Sequence, residues 1–355
     1  MTEIDSSQDT RSGAPARSRS SKPAPTIYDI AELAGVNPST VSRALSKPGR
    51  ISAKTEKLIQ DAAKTLNYRV NPMARALPTG RTMTLGLIIA DITNPMFFDV
   101  VRGAERAARE SGYTLIIAES QESGEREAAT AERVAPSVDG MILVTTRLAD
   151  EQIADLAELR PLVVINRRID GVDAIVPDLE PGIDQALTHL AELGHRSIGY
   201  LYGPSGSWMS SARWEALLAK SVELGMSIVE IGPGIPTLEG GRASMTRVAA
   251  SGVSAVVAYN DLMAIGLLRA AQEKGLRVPG DLSIVGFDDI FGSDFTSPPL
   301  STIRTPLALI GTLAVRRMLE RIAADDRRPA HGSRGKAPAI STELVVRGST
   351  GPAGA

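Results

Sequence analysis

The sequence contains no cysteine, so neither disulfide bonds nor a thiol nucleophile can play a part in this chain of 355 residues. It also has no apolar run of the roughly 18 residues that a membrane-spanning helix needs, and no hydrophobic segment near the N-terminus that would act as a signal peptide. Histidine occurs only three times. We therefore expect a cytoplasmic protein with no metal site and no cofactor.

The formal net charge of -2 hides a strong asymmetry along the chain. Residues 22–81 contain ten Lys or Arg and four Asp or Glu, a formal charge of +6, whereas residues 82–355 carry -8. A basic segment on an acidic body is expected when only one end of a protein meets the phosphates of nucleic acid.

Length and a hydrophobic content of 43% allow more than one core. Residues 1–24 are rich in Ser, Arg, Ala and Pro without apolar periodicity, which predicts a disordered leader. We expect a small domain at 25–70, a linker at 71–81, a large domain at 82–347 and a short tail at 348–355.

Three short helices are predicted between residues 26 and 68, each with its own boundary residues. Thr26 and Asp29 have the spacing of a capping box, and Gly35 is placed to end the first helix in a left-handed conformation. Asn37 is expected to cap the second helix and Ser52 the third. The first two helices, joined through Gly35, have the spacing of a helix-turn-helix, which binds DNA with its second helix in the major groove.

The second helix supplies the expected DNA contacts. Arg43 is the strongest candidate because a guanidinium can donate two hydrogen bonds to guanine; the alternative is that it contacts only the DNA backbone or an acidic neighbour. The other residues expected at DNA in this small domain are Thr26, Tyr28, Pro38, Ser39, Thr40 and Ser42.

Beyond residue 81, short β-branched runs alternate with Ala-rich amphipathic segments. We predict strands at 85–90, 114–118, 140–145, 162–165, 174–176, 197–201, 255–258 and 283–287, then a flexible loop at 326–338 and a last strand at 340–346. Apolar strands separated by helices indicate parallel, doubly wound sheets. The expected α/β fold has two lobes, about 82–177 plus 306–325 and about 178–304 plus 339–347.

The linker contains its own helix signal. Asn71 can cap a helix with Pro72 in its first turn, but Pro78 stops that helix after two turns, too short to be stable alone in water.

Six motifs stand out along the chain: TIYDIAELAGVNPSTVSRAL at 26–45, VNPMARAL at 70–77, LGLIIADITNP at 85–95, LGHR at 193–196, YNDLMA at 259–264 and VGFDD at 285–289. Taken together, they resemble the lactose/galactose repressor (LacI/GalR) family. The resemblance covers nearly all of residues 25–347, and its order and spacing are more specific than any single motif.

The resemblance implies a nucleoid-associated transcriptional repressor with a helix-turn-helix headpiece and a periplasmic-binding-protein-like effector domain. It implies homodimers on operator DNA, because a two-fold protein matches a two-fold operator. It also makes the linker a hinge helix at the minor groove, where Leu77 would wedge between bases and Asn71 and Ala74 would lie close by. Pro78 departs from the family pattern and puts the end of that helix in doubt.

A small-molecule site is expected where the strands of two such lobes end. Polar side chains follow four predicted strands: Asp91, Asn166 with Arg167, Asn260 with Asp261, and Asp288. The resemblance implies effector contacts at Arg213, Asn260 and Asp288 and a further polar contact at Asn166, and three aromatic residues could form walls. Asp, Asn and Arg together suit a hydroxylated, carbohydrate-like ligand. The expected effector residues are Asp91, Phe97, Phe98, Asn166, Arg167, Trp208, Arg213, Asn260 and Asp288.

Structural roles compete with these assignments. Arg213 and Asp288 can form a buried ion pair without any ligand, and Phe97 and Phe98 can belong to a core. For Asp261 and Asp289 we favour helix capping over ligand contact.

Other functions remain open at this level. A periplasmic-type sugar-binding protein without DNA function shares the two-lobed architecture, but it would need a signal peptide and no headpiece. An enzyme is disfavoured, because neither a Gly-x-Ser-x-Gly elbow nor a Gly-x-Gly-x-x-Gly turn after the first strand is present. Whether the protein represses or activates, and whether its ligand is an inducer or a corepressor, does not follow from the sequence.

Overall fold

The computed structural model describes residues 25–46, 49–68, 80–325 and 340–354. The chain divides between Thr79 and Gly80 into two compact units. The predicted leader, the hinge residues Asn71, Ala74 and Leu77, and the predicted loop at 326–338 lie outside the described residues. No described helix is long and apolar enough to cross a membrane.

The first unit consists of three helices: α1 (Ile27–Ala34), α2 (Pro38–Ser46) and α3 (Ala53–Thr65). Each predicted boundary is confirmed. Thr26 and Asp29 form a capping box, and Gly35 ends α1 with φ of 63°. The Asn37 Oδ1 accepts a hydrogen bond from the Ser39 backbone N–H at 3.0 Å, while Ser52 caps α3.

Apolar residues of all three helices form one small core in this unit. Ile30, Val41 and Ile59 are completely buried there. Because Val41 faces inward, the residues that flank it on α2 turn toward solvent.

The second unit begins with a lobe built on a five-stranded parallel sheet of order β2-β1-β3-β4-β5. Its elements in chain order are β1 (Thr84–Ile89), α4 (Met96–Glu110), β2 (Thr114–Glu119), α5 (Gly124–Val134), β3 (Gly140–Val144), α6 (Asp150–Leu159), β4 (Leu162–Ile165) and β5 (Asp173–Ile175).

The second lobe contains a six-stranded sheet of order β11-β10-β9-β8-β6-β7, parallel except for β11. Its elements are α7 (Glu180–Glu192), β6 (Ser197–Leu201), α8 (Trp208–Glu223), β7 (Ser227–Ile231), α9 (Leu238–Ser251), β8 (Ala255–Ala258), α10 (Asp261–Glu273), β9 (Ser283–Asp288), β10 (Ser301–Arg304) and β11 (Glu343–Val345). The predicted α/β class with doubly wound parallel sheets is confirmed.

Between β10 and β11 the chain returns to the first lobe as α11 (Leu307–Asp325), which packs on α4. The two helices approach so closely that glycine is required at the crossing. A Cβ atom at Gly103 would lie 1.9 Å from the carbonyl oxygen of Ala308, and one at Gly311 would lie 2.0 Å from that of Val100. This contact fixes α4, whose first turn reaches the site described below.

The sequence prediction missed β7 and β10. Both are short, with Glu230 in one and Ser301, Thr302 and Arg304 in the other, so neither gives the continuous apolar signal of a buried strand. The final strand is also shorter than the predicted 340–346.

Residues 348–354, predicted to be a tail, are packed into the second lobe. The Ser349 hydroxyl is completely buried against the Ile284 carbonyl, and the Ala353 N–H donates to the Leu193 carbonyl at 2.9 Å. The ordered part of this lobe therefore extends past the last strand.

Candidate functional site

A narrow cleft lies where strands of both sheets end. Both lobes contribute side chains, and most of these are polar. The lining consists of Asn94, Met96, Phe97, Glu122, Thr145, Asn166, Met209, Arg213, Pro236, Tyr259, Asn260 and Asp288.

Four of the lining residues have a left-handed backbone. The φ angles are 57° at Glu122, 55° at Thr145, 64° at Asn166 and 105° at Asp288, and each residue lies at or just beyond the end of a strand. Non-glycine residues in this region are strained, by about 1–3 kcal/mol each, and such strain concentrates at functional sites. The strained backbone of the cleft is thus found at four residues with polar side chains.

A buried ion pair lies at the second-lobe side of the cleft. The Arg213 Nη2 is 2.9 Å from the Asp288 Oδ1, and both side chains are at most 4% exposed. The guanidinium also stacks on Phe287, with its carbon 3.7 Å from the ring centroid, and donates to the Tyr259 carbonyl. Burial raises the pKa of Asp288, and Arg213 opposes this effect. The buried ion pair expected of these two residues is present, and both side chains also line the cleft.

Asn260 combines contact with the cleft and a structural role. Its Oδ1 accepts from the Met263 N–H at 2.9 Å and so caps α10. Its Nδ2 donates to the Pro236 carbonyl at 3.0 Å. These two bonds fix the amide at the cleft wall.

The predicted capping role of Asp261 and Asp289 was wrong, because Asn260 already caps α10. Asp261 is completely buried, and its two carboxylate oxygens accept from the Ile290 N–H at 2.8 Å and the Thr302 hydroxyl at 2.6 Å. Burial raises its pKa well above the usual range. Asp289 instead bonds to Ser293, Arg304 and Arg347.

Asp261 thereby supports the strained turn at the cleft. Its bond to Ile290 ties down the chain just after Asp288 and Asp289, both of which have positive φ. The carboxylate fits only because residue 286 is glycine: a Cβ there would lie 2.0 Å from its Oδ1.

A second ion pair, between Glu122 and Arg147, lies on the first-lobe side. The Glu122 Oε2 is 2.6 Å from the Arg147 Nη2 and 2.8 Å from its Nε. Burial raises the pKa of Glu122, and Arg147 counteracts it. For Arg147, burial lowers the pKa, but the electrostatic effects of Tyr259 and of Glu122 outweigh it. Since Tyr259 belongs to the second lobe, Arg147 interacts with groups on both sides of the cleft.

Three polar atoms in the cleft have no hydrogen-bond partner. Among the described residues, six buried side-chain N or O atoms lack one, and three of the six belong to the lining. They are the Thr145 Oγ1, the Asn166 Oδ1 and the Arg213 Nε. Buried polar groups are nearly always bonded to protein or to water, so these three atoms mark positions in the cleft open to a water or a ligand.

The cleft brings together five of the nine residues predicted for it: Phe97, Asn166, Arg213, Asn260 and Asp288. The other four lie elsewhere. Asp91 accepts from Thr93 within its own loop. Phe98 is 46% exposed on α4.

The remaining two, Arg167 and Trp208, are also held away from the lining. Arg167 turns to the Leu148 carbonyl and to Asp150. Trp208 packs against the core of the second lobe.

Seven lining residues escaped the sequence prediction: Asn94, Met96, Glu122, Thr145, Met209, Pro236 and Tyr259. Thr145 was counted within a predicted strand, although it is the first residue after β3. Met209 precedes Arg213 by four residues and so shares its face of α8, a signal that was available.

In the first unit, α2 exposes the residues expected at DNA. Ser39, Ser42 and Arg43 are exposed and Pro38 and Thr40 are half-buried. The Arg43 guanidinium is 3.5 Å from the Ser39 hydroxyl. Tyr28 is 68% exposed, whereas the Thr26 hydroxyl is occupied in the capping box.

Sequence comparison agrees with this architecture. A family model described as bacterial regulatory proteins, lacI family, matches residues 26–71, and one described as a periplasmic binding protein-like domain matches residues 187–350. The HTH-type transcriptional repressor CytR of Escherichia coli strain K12 is 31% identical over 343 residues, which cover 94% of this chain and 98% of that protein. The chain belongs to the lacI family of bacterial regulatory proteins, and it is a DNA-binding transcriptional regulator.

Solved structures show the same relationship. The Lac repressor dimer bound to operator and the anti-inducer ONPF matches with a TM-score of 0.81 and 26% identity, over 93% of this chain and all of that one. The complex of the transcriptional regulator CelR with cellobiose matches with a TM-score of 0.66 and 28% identity, over 92% and 99%.

Proposed function

We propose that this protein is a homodimeric repressor that reads operator DNA with α2 and adjusts its operator affinity to a hydroxylated, carbohydrate-like effector held in the cleft. The observation that carries the effector part is the group of three unpaired buried atoms on Thr145, Asn166 and Arg213. The protein acts in the cytoplasm at the nucleoid and catalyses no reaction.

The three unpaired atoms define what the ligand must offer. The Asn166 Oδ1 needs a donor, the Arg213 Nε needs an acceptor, and the Thr145 hydroxyl can bond to either. A ligand hydroxyl both donates and accepts, so two or three neighbouring hydroxyl groups satisfy all three positions. Phe97, which is 2% exposed, adds an apolar wall of the kind that packs on a sugar ring.

The similar structures support this ligand class and the DNA partner. CelR is bound to cellobiose, and the Lac repressor dimer is bound to operator DNA. CytR, which aligns over nearly the whole chain, is a repressor, which favours repression over activation.

The DNA interface rests on the exposed face of α2. Arg43 would donate to guanine in the major groove, with Ser39 and Ser42 at neighbouring bases or phosphates. Tyr28 is exposed enough to join them. For Asn71, Ala74 and Leu77 the hinge role rests on the sequence alone.

Replacing Arg43 with alanine tests the DNA part. DNA enriched by the full-length protein from a random library serves as the operator, and fluorescence anisotropy measures binding. We expect Arg43→Ala to lose about 1–3 kcal/mol of specific affinity per half-site, with most nonspecific affinity retained. The matched control, Lys54→Ala, removes one exposed positive charge from α3. Equal loss of specific and nonspecific binding in Arg43→Ala would contradict the proposal that α2 recognises the base sequence.

A further inference from the structure

The cleft has three side chains in its lining that carry a charge at neutral pH, and each is already engaged. Two are carboxylates, Glu122 and Asp288, and the third is the guanidinium of Arg213. Each carboxylate is paired with an arginine, at 2.6 Å for Glu122 with Arg147 and 2.9 Å for Asp288 with Arg213. The charges therefore balance before any ligand enters.

Neither arginine has a charged face left for an anion. Arg213 uses one terminal nitrogen on Asp288 and the other on the Tyr259 carbonyl, and its plane stacks on Phe287. Only its Nε is without a partner. A phosphate or carboxylate is normally bound by a guanidinium through two parallel bonds, which this arrangement prevents.

Arg147 is likewise unavailable. Its Nε and Nη2 contact Glu122 and its Nη1 donates to the Thr145 carbonyl at 2.9 Å. It is also not among the lining residues.

The helix N-termini that reach the cleft are also occupied. Backbone N–H groups there commonly bind anions. Here the first turn of α4 donates to the Asn94 Oδ1, that of α8 to the Ser207 Oγ and that of α10 to the Asn260 Oδ1. Each of these side chains takes a donor that a bound anion would need.

We propose that the cleft selects an uncharged effector and that Glu122 is the residue that excludes anionic ligands such as sugar phosphates. A phosphate beside Glu122 would repel a carboxylate held in place by Arg147 in a poorly solvated site. Asp91 lies close enough to add to the negative potential at Glu122. This inference rests on the proposed function, since it specifies the effector of the same cleft.

A panel of paired probes tests the selection with the full-length protein. Calorimetry compares ribose, glucose, galactose and cellobiose with the monophosphate of each, and inorganic phosphate is included alone. We expect at least one neutral sugar to bind and its monophosphate to bind at least about tenfold more weakly. A monophosphate that binds as tightly as its parent sugar, or more tightly, overturns the inference while leaving the regulator proposal intact. If no probe of either kind binds, the carbohydrate proposal and this inference both fail.

The role of Glu122 is tested by Glu122→Gln, which keeps the shape and removes the charge. Arg147 then lacks its carboxylate, so we expect the preference for the neutral sugar over its monophosphate to fall at least about fivefold. Glu132→Gln, on the exposed side of α5, removes the same charge outside the cleft and should leave the preference unchanged. Thermal unfolding of both variants checks that they fold. An unchanged preference in a folded Glu122→Gln protein contradicts the assignment.

Discussion

The two ends of the second-lobe sheet carry buried polar clusters of opposite character. At the amino ends of β6, β8 and β9, the ring of His195 lies 2.8 Å from the Ser254 hydroxyl and 3.1 Å from both the Ser283 hydroxyl and the Gly351 carbonyl. Both ring nitrogens have partners. The Gly351 N–H in turn donates to the Ser283 hydroxyl, so the cluster is complete without any ligand.

The cluster at the carboxyl ends, which Thr145 and Asn166 of the first lobe join, is incomplete. Arg213 and Thr145 each retain an unpaired buried atom, and Asp288 and Asn166 hold strained backbones. A completed network rigidifies a fold, whereas an incomplete one costs stability unless something binds. The comparison teaches that the first cluster is complete within the protein, whereas the second leaves positions that the proposed effector would fill.

Removing the ring at the complete cluster should give the largest effect. His195→Ala leaves Ser254, Ser283 and Gly351 short of partners and opens a cavity, so we expect the free energy of unfolding to fall by about 2–4 kcal/mol. Urea denaturation measures this. The control is His189→Ala, at a half-buried histidine with one bond to Thr350, which should cost much less. Sugar affinity of folded His195→Ala should be unchanged. A selective loss of affinity would show that the cluster at the amino ends also affects the cleft, contrary to the separate roles given to the two clusters.

Removing a polar group from the incomplete cluster should not lower the free energy of unfolding. Thr145→Val removes an unpaired buried hydroxyl and keeps the shape of the side chain, so the free energy of unfolding should stay the same or rise by up to about 1 kcal/mol. Sugar affinity should fall several-fold in the same variant. Ser254→Ala makes a comparable change at the complete cluster and should lower stability without changing affinity. Destabilisation of Thr145→Val similar to that of Ser254→Ala would show that Thr145 is satisfied in the ligand-free protein.

The smallest expected effect is the pH dependence of stability that His195 contributes. Burial lowers the pKa of His195, and the Gly351 carbonyl only partly opposes this. The folded protein then binds fewer protons at this residue than the unfolded chain. The stability this gives is present above about pH 6.5, the ordinary histidine value, and is lost as the pH falls below it.

Urea denaturation of wild type and His195→Gln between about pH 5.5 and 7.5 isolates that contribution. The variant should lose less stability than wild type over this interval. If the free energy of unfolding changes equally with pH in the two proteins, the pKa of His195 is the same in the folded and unfolded states.

Much of this architecture could be predicted because it depends on local chemistry. The caps at Thr26, Asn37 and Ser52 act within a few residues, and the buried strands give continuous apolar runs. β7 and β10 were missed because their positions in the sheet depend on tertiary pairing rather than on their own short sequences.

The site was predicted only in part for the same reason. Asn166, Asn260 and Asp288 follow or end strands and could be placed on that basis. Arg147 interacts with Glu122 and Tyr259, which lie in separate loops. Sequence spacing does not reveal interactions between such distant segments. Asp91 and Arg167 follow strands but lie outside the lining, because a position near a strand end does not fix the direction of a side chain: Arg167, for example, bonds to Asp150.

The most direct test of the account is whether ligand at Asn166 controls DNA binding. Asn166→Gly removes the unpaired amide oxygen, and glycine adopts φ of 64° without strain. Fluorescence anisotropy on DNA enriched by the full-length protein would be recorded while titrating the neutral sugar that binds most tightly. We expect the sugar to change wild-type DNA affinity by about tenfold or more, as coupling free energies of 1–3 kcal/mol allow, and Asn166→Gly to need at least about fivefold more sugar for the same change. Identical dose responses in the two proteins would contradict effector control through this cleft.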